Sequence, residues 1–134
     1  MSIIDLVKDL QNAFEAYDII IHQDLLKDLA GLLNNAGIKK EFLAKFKKNL
    51  SVLSEYSTKA HLLSSNQFER LKKDDNLFSM HIKGKTFNIR IIYSFLSDNT
   101  ILLHGFYERS GKRSTDYFKA IDIAKQRLDE FEKE

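Results

Sequence analysis

Positive charge is concentrated in the second half of the chain. Six cations fall within 31 consecutive positions: Lys83, Lys85, Arg90, Arg109, Lys112 and Arg113. Only two acids, Asp98 and Glu108, lie among them, so this stretch carries a net +4, whereas the whole chain carries +2. Cations concentrated on one region of a sheet are typical of a surface that binds a polyphosphate. An RNA-directed activity is therefore the first function to test.

The other residue types exclude several classes of site. The chain has no cysteine, which removes disulfides, thiolate metal sites and a cysteine nucleophile, and is compatible with a reducing compartment. No His, Asp or Glu occurs at a metal-ligand spacing such as HExxH, and neither a Gly-rich phosphate loop nor a GxSxG elbow is present. We therefore predict no metal and no other cofactor.

Length and composition predict a single domain over residues 1–134. The chain is 43% hydrophobic and contains neither a repeat nor a Gly/Ser linker that would divide it. Its first residues include Asp5 and Asp9 and lack the cationic start of a signal peptide. No apolar run reaches the roughly 20 residues that a membrane span needs. We predict a cytoplasmic protein with no membrane partner.

Apolar spacing predicts helices over residues 2–16, from Asp24 to about residue 34, over 39–56 and over 115–133. Residues 17–22 are predicted as a first strand. The third helix is predicted to expose its lysines: Lys39, Lys40, Lys45, Lys47 and Lys48. The apolar stripe of the last helix is predicted to consist of Phe118, Ile121, Ala124, Leu128 and Phe131.

Three further strands are predicted between residues 77 and 107, after an irregular stretch over 57–76. The segment 77–83 alternates and turns at Lys83-Gly84-Lys85, which is a hairpin signal. Its outward positions are predicted to include His81 and Lys83, and the next strand, 87–95, is predicted to point Arg90 outward. These elements predict an α+β fold, in which N-terminal helices pack on a small antiparallel sheet with a C-terminal helix.

Four segments, taken in order, resemble the RelE/HigB superfamily of toxins from type II toxin–antitoxin modules, especially its phage-derived HigB-like branch. Residues 17–29 (YDIIIHQDLLKDL) resemble the family's first strand and the start of its helical hairpin. Residues 77–95 resemble its strand pair, with Arg90 and Tyr93 at the characteristic arginine and tyrosine. Residues 101–112 (ILLHGFYERSGK) resemble its third strand and basic loop, and residues 120–131 resemble its closing helix.

The similarity to this RelE-like fold covers residues 17–131, so residues 1–16 are predicted to be an additional N-terminal helix that either pads the helical hairpin or forms a dimer surface. The chain departs from the family pattern at three places. Glu108-Arg109 replaces two lysines, Arg113-Ser114 replaces a threonine-proline pair, and His81 stands where many relatives carry an arginine.

The resemblance implies an endoribonuclease, or mRNA interferase, that cuts mRNA without a metal, often on the ribosome. In such a reaction a ribose 2′-hydroxyl attacks the adjacent phosphate, and Arg90 would hold the developing charge because its planar fork binds two oxygens at once. His81 and Glu108 are the alternative general bases. Tyr107 or Tyr117 would stack on a base or donate a proton. The residues assigned to RNA binding are Lys83, Lys85, Arg109, Lys112, Arg113 and Tyr117.

The resemblance also implies partners: mRNA and the ribosome, and a cognate antitoxin of the helix-turn-helix type that covers the basic face. Operator DNA would be bound only through the antitoxin. Two other functions stay open, namely a ParE-like inhibitor of DNA gyrase that is not an enzyme, and a degenerate toxin fold that acts only as a binding protein. Glu108, in place of a lysine, keeps the last alternative open.

Three further side chains have structural interpretations. His104 lies in the most apolar strand and is predicted to be a hydrogen-bonded core histidine, and Tyr93 is predicted to lie in the core. His22 ends the first strand without a partner nearby in the sequence and is predicted to be inert.

Overall fold

The computed structural model describes residues 3–17, 19–33, 36–56, 67–71, 76–96, 99–109 and 113–133. Four helices and five strands form within these ranges, and the predicted α+β class is confirmed. In chain order the elements are α1 (Ile3–Ala16), β1 (Ile20–Ile21), α2 (Leu25–Leu32), α3 (Ala36–Tyr56), β2 (Phe68–Arg70), β3 (Phe78–Lys83), β4 (Asn88–Leu96), β5 (Asn99–Tyr107) and α4 (Arg113–Glu132). None of the described helices is both long and apolar enough to cross a bilayer.

The five strands form one mixed sheet in the order β1-β5-β4-β3-β2. Strands β2 to β5 pair antiparallel, but β1 runs parallel to β5, with Ile20 opposite Ile101 and Ile21 opposite Leu102. The prediction of an antiparallel sheet is therefore wrong for β1. Side-chain alternation shows which face a residue occupies but not the direction of its partner strand, and β1 has only two residues.

Strand β2 lies in the stretch that was predicted to be irregular. It pairs with β3, placing Phe68 opposite Met80 and Arg70 opposite Phe78. Three residues are too few to show a period of two, so composition alone favoured a loop. The remainder of the predicted irregular stretch, at 57–66 and 72–75, lies outside the described residues.

Apolar side chains cover both faces of the sheet. On one face, α1, α2 and α3 pack on the side chains of β3 and β4, and the rings of Phe14 and Phe46 meet edge-on at 5.3 Å. Leu10 and Phe14 of α1 are buried there, so this helix pads the core, as one of the two alternatives for residues 1–16 predicted. On the other face, α4 packs over β4 and β5.

Two predicted helix faces need correction. Lys39 is only 8% exposed, because it lies three residues before the buried Phe42 on the inward side of α3, where a lysine stem can be covered by apolar neighbours. Phe118 is 59% exposed, whereas Tyr117 is buried. The inward stripe of α4 therefore starts at Tyr117 and continues at Ala120, Ile121, Ala124 and Leu128.

The hairpin between β3 and β4 has a four-residue connection from Gly84 to Phe87. Lys83 pairs with Asn88 across it, and the Gly84 amide donates a hydrogen bond of 3.0 Å to the Phe87 carbonyl. A Cβ atom at Gly84 would overlap the Phe87 ring. The close approach of this buried ring explains why the turn needs a glycine.

Candidate active site

The pairing of β3, β4 and β5 brings several predicted site residues to one end of the face that α4 covers. His81 lies opposite Arg90, and Arg90 lies opposite Phe106. Lys83 lies opposite Asn88, one pair closer to the hairpin. Directly paired residues share a face of the sheet, so the first catalytic candidates are neighbours in space.

Arg90 is the centre of this cluster, but its predicted exposure is wrong. The side chain lies on the expected face and is only 7% exposed, because α4 packs over it. Its Nε donates a 2.5 Å hydrogen bond to Glu108 Oε2, and its Nη1 lies 3.5 Å from Glu69 Oε1. The guanidinium also lies over the Tyr117 ring at 5.7 Å. Arg90 is therefore already paired with two carboxylates and an aromatic ring.

Glu108 is also held by contacts with its neighbours. Its side chain is 10% exposed and belongs to the Arg90 ion pair. Its backbone joins the sheet, since the Glu108 amide donates to the Asn88 carbonyl at 2.9 Å. Its Oε2 is already occupied by the Arg90 guanidinium. The arrangement suits Glu108 to holding Arg90 rather than to serving as a base.

Tyr117 is buried on the inward side of α4, and its ring contacts Phe106 edge-on with the ring centroids 5.2 Å apart. Its hydroxyl lies 3.0 Å from Ser79 Oγ and donates to Glu69 Oε1 at 3.2 Å. Burial raises the pKa of Tyr117 to about 12, so the phenol is neutral at pH 7. The predicted role in stacking on an RNA base does not fit this buried position.

His81 is half-buried and is held by an amide. Its Nε2 forms a hydrogen bond with Asn88 Oδ1, and Asn88 Nδ2 donates to the Glu108 carbonyl at 3.3 Å. This second bond orients the amide so that its oxygen faces the ring, which places the imidazole proton on Nε2. The Nδ1 atom then carries the lone pair, and it accepts no hydrogen bond from any residue that the structure describes.

Burial lowers the pKa of His81, and the positive charges of Arg90 and Lys83 lower it further. The hydrogen bond that His81 donates to Asn88 and the charge of Glu108 act in the opposite direction without cancelling the effect. The imidazole is therefore neutral at pH 7, which is the form that can accept a proton.

The predicted basic loop after β5 is partly described. Arg109 forms an ion pair with Asp116 in the first turn of α4: the Arg109 amide donates to Oδ2 at 2.8 Å and Nη2 donates to Oδ1 at 2.7 Å. These hydrogen bonds lower the pKa of Asp116 and raise that of Arg109. Arg113 begins α4, and both its side chain and Lys112 lie outside the described structure.

Two further candidates lie apart from the cluster. Tyr107 is opposite Ile89 on the other face of the sheet, is 41% exposed, and donates to the Thr86 carbonyl at 3.5 Å. Its side chain therefore cannot share a substrate atom with Arg90. Lys83 and Lys85 are both exposed at the hairpin, as the sequence predicted.

The sequence did not single out two residues of the cluster. Glu69 contacts both Arg90 and Tyr117. It lies on β2, in the stretch that was predicted to be irregular. Asn88 orients His81 from the start of β4. Asparagine next to a hairpin is common for conformational reasons alone, so neither residue carried a signal in one sequence.

A second polar cluster joins α2, β5 and α4. Asp28 Oδ2 accepts hydrogen bonds from His104 Nδ1 at 2.8 Å and from Arg127 Nη1 at 2.5 Å. The predictions for His104 and Tyr93 are confirmed, since His104 is a hydrogen-bonded buried histidine and Tyr93 is fully buried. His22, which was predicted to be inert, is also buried, and its Nε2 lies 2.5 Å from Glu130 Oε2.

Among the described residues, no group of three or more His, Asp or Glu side chains is arranged to hold a metal ion. Comparisons of the chain with protein-family models, with curated proteins and with solved structures found no match. We therefore base the functional proposal on the geometry of the site and on the motifs that the sequence carries.

Proposed function

We propose that this protein is a RelE/HigB-like toxin of a type II toxin–antitoxin system and a metal-independent endoribonuclease that cleaves mRNA on the ribosome. The observation that carries the proposal is His81, a neutral, half-buried histidine whose Nδ1 accepts no hydrogen bond from the described residues and which lies opposite Arg90 and two positions from Lys83. A base beside fixed cations is what cleavage by a ribose 2′-hydroxyl needs.

In the proposed reaction, His81 Nδ1 takes the proton of the 2′-hydroxyl. The 2′ oxygen then forms a bond to the adjacent phosphorus, and the bond from phosphorus to the 5′ oxygen breaks, which leaves a cyclic phosphate and a 5′ oxygen that takes a proton from water to become a 5′-hydroxyl end. Lys83 is exposed, lies two positions from His81 on the same face of β3, and would hold a phosphate oxygen. Arg90 positions the cluster, and its Nη2 donates no hydrogen bond to the described residues.

The strand topology supports the family assignment. A first strand leads into a helical pair, α2 and α3, and the following antiparallel strands end at a closing helix, in the order that the resemblance implied. In this proposal the cognate antitoxin, a helix-turn-helix protein, covers the His81 face, and operator DNA is bound only through it.

The decisive experiment is induction in a bacterial host with mapping of new RNA 5′ ends, comparing the wild type with His81→Gln and Lys83→Ala. Loss of a general base is expected to slow cleavage by about 10²- to 10⁴-fold, so new ends inside reading frames should vanish in His81→Gln. Lys47→Ala, a lysine change on the exposed side of α3, is the matched control for Lys83→Ala. Growth arrest without new ends would replace the nuclease with the gyrase inhibitor.

A second function, a degenerate toxin fold that only binds, is favoured by one observation. Arg90 stands where the family's characteristic arginine is expected, yet it is buried and neutralised by Glu108 and Glu69. If the folded protein causes neither arrest nor cleavage but retains antitoxin binding, this second function replaces the first.

The pH dependence of cleavage separates the two candidate bases. Because the pKa of His81 lies below 6.5, cleavage should be constant at neutral pH and fall only below about pH 6.5. Replacing Lys83 with alanine removes one of the charges that lower this pKa, so the acid limb should move to higher pH. An acid limb that does not respond to Lys83→Ala would exclude His81 as the base.

A further inference from the structure

A groove runs between α3 and the open edge of β3. Beyond Phe68 of β2, the edge of β3 has no further strand among the described residues, and a groove of about 600 Å³ lies there. The described residues that line it are Lys45, Lys48, Asn49, Val52, Tyr56, Gln67, Phe68, His81, Ile82 and Lys83.

Two side chains of α3 form hydrogen bonds with the backbone of β3 along the groove. Lys45 Nζ donates to the Lys83 carbonyl at 2.6 Å, and Asn49 Nδ2 donates to the His81 carbonyl at 3.3 Å. These bonds satisfy the edge carbonyls of β3, which disfavours the addition of another β-strand at this position. A ligand of the groove would therefore be recognised by side chains.

The charge of the groove is positive. Lys45, Lys48 and Lys83 line it, and no acid does so within the described residues. Lys45 also lies 3.5 Å from Glu41, an exposed i,i+4 pair that contributes little and that a phosphate could displace. Lys48 and Lys83 form no ion pair with the described part of the chain.

One aromatic side chain lies at the end of the same surface. Tyr56 is 46% exposed and occupies the last position of α3. It is eleven residues from Lys45, so the lysines and the ring span about 16 Å along the helix at roughly 1.5 Å per residue. That length matches about five nucleotides at the roughly 3.4 Å rise of a stacked strand.

We propose that this groove binds single-stranded RNA and leads it over the edge of β3 toward the opposite face of the sheet, where the His81 side chain lies. The three lysines contact backbone phosphates, and Tyr56 stacks on a base. Lysines that follow a backbone, combined with an exposed aromatic ring, are the recurring features of single-strand binding. The inference rests on the proposed function for its substrate, and it adds where the strand lies and which residues of α3 hold it.

Binding can be measured apart from cleavage by fluorescence anisotropy with a labelled mixed-sequence RNA whose 2′ oxygens are all methylated, since this probe has no attacking hydroxyl. Three phosphate contacts predict a slope of about −2 for log affinity against log salt, which is a loss of about 20-fold between 50 and 200 mM. Lys48→Ala should reduce the slope to about −1.4 and the loss to about 7-fold. The matched control is Lys47→Ala, an exposed lysine on the same helix that does not line the groove.

Tyr56→Ala should weaken binding by about 5-fold or more at fixed salt, since a base loses its stacking partner. Phe118→Ala, an exposed aromatic ring on α4, is its control.

Equal effects of Lys48→Ala and Lys47→Ala would overturn the groove proposal even if the protein cleaves RNA. A poly-glutamate peptide that binds with the same dependence on Lys48, without dependence on Tyr56, would assign the groove to an acidic protein partner instead. Binding that follows the prediction while unmethylated RNA stays intact would support the groove and reject the nuclease.

Discussion

The ion pair between Arg90 and Glu108 gives the strongest test of the described site. The two side chains are 8% and 10% exposed, and the Nε to Oε2 distance is 2.5 Å. Removing one partner of a buried pair leaves an uncompensated charge and typically costs about 3–5 kcal/mol. Glu69 lies at 3.5 Å and its side chain is 38% exposed, so it compensates only in part. We expect Glu108→Ala to lower the free energy of unfolding by an amount in that range.

Urea unfolding measures this change directly. With an m-value of about 2 kcal/mol/M, the midpoint should fall by roughly 2 M. The double variant Arg90→Met/Glu108→Ala removes both charges and should recover much of the loss, because an apolar replacement of a buried pair is often neutral. Glu41→Ala is the exposed control, since it breaks the pair with Lys45 and should cost less than about 1 kcal/mol.

If Glu108→Ala costs no more than Glu41→Ala, Arg90 is not held against Glu108 in solution. The guanidinium would then be available to a phosphate, and the solvent-facing role that the sequence predicted would be restored. Arg90→Ala is expected to lose activity through loss of folding. The unfolding measurement therefore shows whether a loss of activity in that variant reflects instability.

Four further changes test the fold around the site, all measured by urea unfolding. Because the pKa of His81 is lower in the folded state than in the unfolded chain, stability should decrease as the pH falls below about 6.5, and His81→Gln should abolish that dependence. Tyr117→Phe should cost about 1–3 kcal/mol by removing the hydrogen-bond partner of the buried Ser79 hydroxyl. Since burial raises the folded pKa of Tyr117 to about 12, the variant should lose less stability than the wild type as the pH rises above 10; the loss that remains comes from Tyr93, whose pKa burial also raises. Burial tends to raise the pKa of Asp28, but the hydrogen bonds from His104 and Arg127 lower it overall, so its contribution is present above pH 3.8 and lost in acid; Asp28→Asn should cost about 1.5–3 kcal/mol near neutral pH. Phe14→Ala should cost about 3–5 kcal/mol, and a loss below 1 kcal/mol would show that α1 does not pad the core.

The sequence predicted most of the helices and the three longer strands because their apolar residues repeat regularly. The residues of β3 and β4 alternate between the two cores, and the positions from Ile121 to Leu128 follow the period of a helix. Long-range pairing has no such local signature. The parallel contact of β1 with β5 joins residues that are about 80 positions apart, and the strand β2 is only three residues long.

The sequence identified Arg90, His81 and Glu108 as members of the site, but it missed Glu69 and Asn88 and did not predict the burial of Arg90. The strand register that places His81 beside Arg90 follows from the hairpin, which the Lys-Gly-Lys turn indicated. The burial of Arg90 depends on how α4 packs, and that in turn depends on whether Tyr117 or Phe118 faces the sheet. Adjacent aromatic residues on one helix do not show which of them faces inward. For this reason Arg90 was predicted to be exposed, whereas the structure buries it.

The distribution of charge has a consequence for where RNA would bind. Two of the six cations that drew attention to the C-terminal half are neutralised in the fold, Arg90 by Glu108 and Arg109 by Asp116. Lys83 remains exposed at the edge of β3.

Across the groove from Lys83 lie Lys45 and Lys48 of α3. Both were predicted to lie on the solvated face of a helix. Positive charge therefore extends from the hairpin toward α3 and away from the described start of α4. Charge counted along a sequence predicts a polyanion site only after the cations held in internal ion pairs are removed. Within the described residues, Lys45, Lys48 and Lys83 form a basic groove along the edge of β3, next to the face that carries the His81 side chain, which is why we place the RNA strand there.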